Sequence, residues 1–206
     1  MINKFNAKNL IVAVVVLCGL LLAACGEQGK TDNAENKGSV IATVDGAAIY
    51  ERDLQLVALT TKAFFPQQAV DDKQIFNELI RKQVIYNQAE KLGLVVPYEQ
   101  AEKSIVANYE LIKAATESQD ERERADAQTA FGLIEEYMRG FGLTEEQYIK
   151  MASKQMQKVM TYGAVYTNFK EGLAKDIQAD DFAVNEQYEK YINDLLSKAD
   201  IQYANK

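Results

Sequence analysis

The sequence predicts a mainly α fold with a small β element that pairs a strand near the N-terminus with one at the C-terminus. Three observations predict it. Apolar residues recur at helical spacing through most of the stretch from Glu51 to Ser197. Two short β-type runs, Val40–Val44 and Ala199–Tyr203, flank that stretch. Between them, Ile75–Leu92 has no Gly or Pro and carries apolar residues in three directions. Ile75, Leu79 and Tyr86 share one side, Phe76, Ile80 and Val84 another, and Ile85 and Leu92 a third. A surface helix shows a clean polar face. This one is therefore expected to touch protein on most sides, as the helix around which the others pack.

The chain of 206 residues fits one domain plus extras, or two small lobes. At 48% hydrophobic and 26% charged it can build a core. A net charge of -7 gives nucleic-acid binding no electrostatic support. The chain has no His, which removes the commonest general base and zinc ligand. Its two cysteines, Cys18 and Cys25, both lie near the N-terminus. The remainder has no disulfide, thiolate metal site or Cys nucleophile.

Residues 1–24 read as an export signal. Lys4 and Lys8 make a basic start, and Leu10–Ala24 is an apolar run interrupted only by Gly19. That length is short for a membrane span and suits a signal core. The run ends Leu22-Ala23-Ala24-Cys25-Gly26, which resembles a bacterial lipobox. Cys25 is accordingly expected to be the lipidated first residue of the mature chain, bearing acyl chains such as palmitate. More than one acyl chain gives stable anchoring. Residues 25–39 then form a disordered tether, polar apart from Ala34. Its reach is about 20 Å. The stretch Gly26–Thr31 has the wrong glycine spacing for a phosphate loop.

The helical domain spans residues 40–206. Val40–Val44 is β-branched, Asp45-Gly46 is a turn dipeptide, and Ala47–Ile49 returns as a second short strand. Glu51–Phe65 reads as a helix with Leu54, Val57 and Ala58 inward, ended by Pro66. Asp71 and Asp72 precede the central helix and suit its positive end. Gly93 caps that helix, and Pro97 opens the next as its first residue. That helix runs through Ile105, Tyr109 and Ile112 to Ala115. Glu117–Gln128 is charge-dense and is compatible with an exposed helix or an excursion. Apolar period returns at Phe131, Ile134, Tyr137 and Met138, and Gly140-Phe141-Gly142 is a break. Thr144 and Gln147 form a capping box for a long helix to Leu173. A last helix, Asp181–Ser197, turns Phe182, Val184, Tyr188, Tyr191, Ile192 and Leu195 inward.

With these motifs in order, the chain resembles the exported foldases of the PrsA/SurA type. The resemblance rests on VIATVDGAAIYERDL, FNELIRKQVIYNQAEKLGLVV, FGLTEEQYIKMASKQMQKVM and LLSKADIQY, spread over most of residues 40–206. It implies the N-terminal-like helical chaperone domain of that family. Two departures stand out. Tyr50 occupies a position where Ser or Thr usually caps the first helix. Many members also insert a parvulin-type prolyl isomerase domain, whereas Lys175 here runs almost directly into the last helix. The histidine pair of that domain has no counterpart in a chain without His.

No catalytic constellation emerges. The acidic pairs Asp71-Asp72, Glu135-Glu136, Glu145-Glu146 and Asp180-Asp181 sit at helix starts or on polar faces, where carboxylates are ordinary. None has calcium-loop spacing. No nucleophile elbow or Ser-x-x-Lys motif supports a serine–lysine dyad. The expected chain is not an enzyme and needs no cofactor or metal. Its 11 Tyr, 8 Phe and 5 Met suit loose contact with many apolar segments. Tyr148, Met156, Tyr166, Phe169, Tyr188 and Tyr191 are the candidate client-binding residues. The expected function is a lipid-anchored chaperone on the extracytoplasmic face of a bacterial cell membrane, binding unfolded or newly exported polypeptides, without isomerase activity. The alternative is a lipoprotein adaptor for one dedicated envelope partner. Replacing Cys25→Ala should leave the protein unprocessed or release it to the soluble fraction, as read by fractionation and mature mass. A variant still processed and membrane-bound would contradict the lipoprotein reading.

Overall fold

In the computed structural model, residues 38–204 are described apart from 65–66 and 68–70. Cys25, the export signal and all but the last two tether residues lie outside the described residues. Val40–Val44 forms β1 and Ala47–Tyr50 forms β2, an antiparallel hairpin. The turn between them needs positive φ at both central residues. Asp45 and Gly46 supply it, at 50° and 82°. Ile201–Tyr203 forms β3 and pairs antiparallel with β1, giving the order β2-β1-β3. The expected pairing of the two ends of the domain is therefore present.

The helices are α1 (Glu51–Phe64), α2 (Asp72–Leu92), α3 (Tyr98–Ala115), α4 (Glu121–Phe141), α5 (Glu145–Glu171), α6 (Lys175–Gln178) and α7 (Asp181–Lys198). The start of α1 lacks a Ser or Thr cap, yet two of the backbone donors there find acceptors. The Asp53 carboxylate accepts from the Tyr50 N–H at 3.0 Å, and the Ser39 carbonyl accepts from the Glu51 N–H at 2.9 Å. A neighbouring segment does the work of the missing side chain. Asp71 is the N-cap of α2, accepting from the Lys73 N–H, and Asp72 is its first residue, so the helix starts before the expected Ile75. Gly93 closes α2 at φ 68°, with Gly93 N–H to Glu90 and Leu94 N–H to Ala89, a Schellman motif that Gly142 repeats after α4.

Two boundaries differ from expectation, and one stretch left open is decided. Pro97 is the N-cap of α3 rather than its first residue. The charge-dense stretch is helix from Glu121 onward, because Asp120 accepts from the N–H groups of Arg122 and Glu123. Gly140 stays inside α4, and the break falls at Gly142. The capping box of α5 is reciprocal, Thr144 N–H to Gln147 at 2.9 Å and Gln147 N–H to Thr144 Oγ1 at 3.2 Å.

The described part of the stretch read as one domain falls into two compact units. One comprises Pro97–Gln157: α3, α4 and the first part of α5. Its core contains Ala101, Ile105, Tyr109, Ile112, Ala130, Ile134, Tyr137 and Tyr148. Tyr109 is in ring contact with Phe131 and Tyr148, and Tyr137 with Tyr148.

The other unit holds the sheet, α1, α2, the rest of α5, α6 and α7. Here α2 is enclosed as expected: no residue from Leu79 to Ala89 is exposed. Leu79, Ile80 and Val84 pack with Ala42, Val44 and Ile49 of the sheet and Val57 of α1. Ile85 and Ala89 pack instead with Val165 of α5 and Ile192 of α7. Leu92, expected to cover a third direction, is exposed, since the helix ends beside it. Two polar residues share the buried stretch. Gln83 Nε2 donates to Asn87 Oδ1 at 2.7 Å, and Asn87 Nδ2 donates to the Val44 carbonyl at 3.0 Å.

A clasp joins the hairpin turn to β3. Asp45 N–H donates to the Asp200 carbonyl at 2.8 Å, and Asp200 N–H donates to Asp45 Oδ1 at 2.9 Å. Lys91 pairs with the other carboxylate oxygen at 3.3 Å. The Asp200 N–H bond holds the Asp45 carboxyl below its ordinary pKa, with Lys91 adding to it against partial burial. A depressed carboxyl pKa stabilises the fold above the unfolded value of about 3.9. That contribution is lost as pH falls through the lower folded value. Asp45→Asn keeps an acceptor and tolerates the positive φ. It should cost about 1 kcal/mol at neutral pH, a cost that shrinks below about pH 4. Thermal melts of both proteins from pH 7 to pH 2 measure this, and a pH-independent gap would contradict it.

Candidate functional site

Four of the six candidate side chains meet in the second unit. On α5, Tyr166 and Phe169 stand three residues apart and so share a face, as do Tyr188 and Tyr191 on α7. The two pairs interlock. Tyr166 meets Tyr188 edge-on with centroids 5.0 Å apart, and Phe169 stacks on Tyr191 at 4.9 Å while touching Tyr188 at 5.4 Å. Both distances and angles fall in the favourable range for aromatic pairs. All four rings are half-buried. Beneath them Val165 and Ile192 are at most 1% exposed and belong to the same cluster as Ile85 and Ala89 of α2.

Polar contacts hold the rim. The Tyr166 hydroxyl donates to Asn185 Oδ1 at 3.0 Å, Lys170 pairs with Asp181 at 2.9 Å, and Arg81 of α2 pairs with Glu189 at 2.6 Å. Loss of water around its hydroxyl pushes the Tyr188 pKa up to about 12, against the pull of the Arg81 charge. The phenol therefore stays neutral at any physiological pH. The arrangement offers ring faces and neutral hydroxyls, with no nucleophile or activated base among the six candidates. Among the described residues no group of His, Cys, Asp or Glu is placed to hold a metal ion. What it can do is contact apolar and aromatic side chains.

The other two candidates are core residues. Tyr148 is 1% exposed and Met156 is 7% exposed. With Ala152 they form an i, i+4, i+8 stripe, and that spacing marks the buried side of α5. Phe182, expected to face inward, is 80% exposed. At about 100° per residue it lies about 200° from Val184, while Tyr188, Tyr191, Ile192 and Leu195 follow the Val184 side.

Sequence reasoning missed the residues that fix the elements around the surface. The buried Gln83–Asn87 pair had a readable signal, two amides four residues apart in an otherwise apolar stretch. The Arg81–Glu189 pair had none, since 108 residues separate its members. In the first unit the Tyr109 hydroxyl donates to Glu145 Oε2 at 2.8 Å, and Lys113 reaches the same oxygen at 3.5 Å. Burial first, then the Glu145 carboxylate, drives the Tyr109 pKa far above the phenol range, so this contact ties α3 to the start of α5 and is not poised for proton transfer. The acidic pairs do structural work or face solvent: Asp71 and Asp180 cap α2 and α7, and Glu135 and Glu136 are exposed.

No helix among the described residues is long and apolar enough to cross a membrane. Comparison with known families finds a match to the SurA-like N-terminal domain over residues 2–130. None of the curated proteins matches the chain, and no solved structure does. The matched stretch takes in the β1–β2 hairpin and α1 to α3 and ends within α4, so the four-ring cluster lies beyond it.

Proposed function

The chain belongs to the SurA-like N-terminal domain family, and on that premise we propose that it is a lipid-anchored extracytoplasmic chaperone that holds unfolded exported polypeptides. Family membership supports the chaperone-like role. The observation that carries the reading is the partly exposed cluster of Tyr166, Phe169, Tyr188 and Tyr191, with Val165 and Ile192 buried in the adjoining core. Amphipathic rings on a rigid base suit weak contact with many apolar segments. Sequestration of such segments needs no covalent chemistry and no nucleotide. The lipobox-like run ending in Cys25 supports placement at the outer face of the membrane, with the tether setting the working distance.

Apolar contact predicts weak, promiscuous binding that salt hardly affects. The net charge of -7 adds a preference for basic clients, and only that component should fade as salt rises. The test is light scattering from a denatured model protein, with the chain lacking residues 1–37 in excess, at low and high salt. Suppression of aggregation at both salts is expected. Joint replacement of Tyr166→Ala and Tyr191→Ala should weaken it several-fold in a chain that still folds, as read by circular dichroism, although loss of the ring contacts lowers the melting temperature. Absence of suppression at either salt would favour an adaptor with one partner. Suppression lost entirely at high salt would mean ionic contacts, and the aromatic surface would be discarded.

A further inference from the structure

Among the described residues the sheet has one open edge. β3 is an outer strand, and its pairing with β1 can be read residue by residue. Asp45 N–H donates to the Asp200 carbonyl, and Ala204 N–H donates to the Ile41 carbonyl at 3.0 Å. In an antiparallel ladder the backbone groups of alternate residues point to opposite edges. Asp200, Gln202 and Ala204 therefore turn their backbone groups toward β1. Ile201 and Tyr203 turn theirs outward. Among the described residues no backbone hydrogen bond reaches that outward row. Gln202, Tyr203 and Ala204 are exposed, Tyr203 by 62%.

Proteins usually blunt such an edge with charge, proline or a bulge. The stretch Ile201–Ala204 has no charge and no proline, and its register with β1 is unbroken. The opposite edge is treated differently. Every residue of β2 is buried or half-buried, and the β1–β2 register shifts between Val40 and Ala42. Beside the open edge, Phe76 of α2 lies with its ring centroid 6.0 Å from that of Tyr203. An apolar side chain arriving on that face would meet both rings.

We propose that the outer edge of β3 takes up an extended polypeptide segment by strand addition, with the Ile201 and Tyr203 backbone groups pairing to it. Backbone pairing reads no sequence, and alternate side chains of the segment face the Phe76–Tyr203 rings. Charge decides between the two occupants that fit an open edge. A second copy would bring another body of net charge -7 against the first. A neutral or basic segment in extended form meets no such repulsion. The occupant is thus a non-native stretch of another chain, which rests on the chaperone reading but uses a surface separate from the four-ring cluster.

The probe is a synthetic peptide of alternating valine and threonine with a lysine at each end, binding to the purified full chain and followed by fluorescence anisotropy. A second peptide carries an N-methyl group on every residue, which removes the backbone donors along both of its edges. Tyr203→Ala keeps the outward N–H and removes the ring; Tyr203→Pro removes both. Neither touches the inward ladder, so both should still fold, each losing the same Tyr203 ring contact with Phe76. The expected result is binding of the plain peptide, at least tenfold weaker binding of the N-methylated one, and a larger loss for Tyr203→Pro than for Tyr203→Ala. Equal binding of the two peptides would overturn the proposal, and that comparison needs no variant to fold. So would a dimer, seen by sedimentation and abolished by Tyr203→Pro, that excludes the peptide. Loss of aggregation suppression in the Tyr166/Tyr191 variant with peptide binding intact would separate the two surfaces. Peptide binding by a chain that never suppresses aggregation would keep the edge and sink the chaperone reading.

Discussion

Along α2 the chain accepts an unusual constraint: from Leu79 to Ala89 no residue of the helix is fully exposed, and even Arg81 and Lys82 are largely covered. The sheet and α1 cover one side, and α5 and α7 cover another. Each fully buried Val, Leu or Ile contributes roughly 1.5–3 kcal/mol through removal from water. That gain is available only when both layers are in place. The β1–β2 hairpin and α7 come from opposite ends of the described chain, so neither layer can complete the unit alone. The Asp45–Asp200 clasp and the β1–β3 ladder bring those ends together at the same point.

Enclosure also explains the buried amides. A Gln and an Asn inside an apolar helix destabilise it unless both are bonded. Asn87 bonds to Gln83 on its own helix and to the Val44 carbonyl at the end of β1. Removing the Asn87 donor would take one hydrogen bond from that carbonyl, at a cost of about 0.5–1.5 kcal/mol. Apolar contact alone would let α2 slide against the sheet. The directional bond fixes its register, and through Arg81–Glu189 the register extends to α7 and the aromatic rings it carries.

Much of this was legible in the chain because the deciding interactions are local. The multi-sided apolar pattern of Ile75–Leu92, the Asp45-Gly46 turn, the Thr144/Gln147 box and the Gly93 cap each follow from neighbouring residues. The pairing of the two terminal strands was readable because each had one evident partner. The start of α1 was not readable, since its substitute cap comes from the Ser39 carbonyl and Asp53 rather than from Tyr50. The ring cluster was legible in part. Tyr166, Phe169, Tyr188 and Tyr191 assemble because two i, i+3 pairs face one another. Tyr148 and Met156 failed as surface residues because aromatic and Met content does not say which side of a helix is covered, whereas their spacing with Ala152 does. Phe182 failed for the converse reason: it is apolar but stands on the wrong side of α7.

Hydrogen exchange under native conditions tests the enclosure of α2 most directly, because it reports the free energy of the opening that frees each amide. Amides from Gln83 to Ala89 should exchange only through complete unfolding of their unit, with the same free energy and the same denaturant slope as the global transition. Exchange of those amides through small openings insensitive to denaturant would mean that α2 moves independently of the sheet and of α7, and the central place given to it here would be wrong.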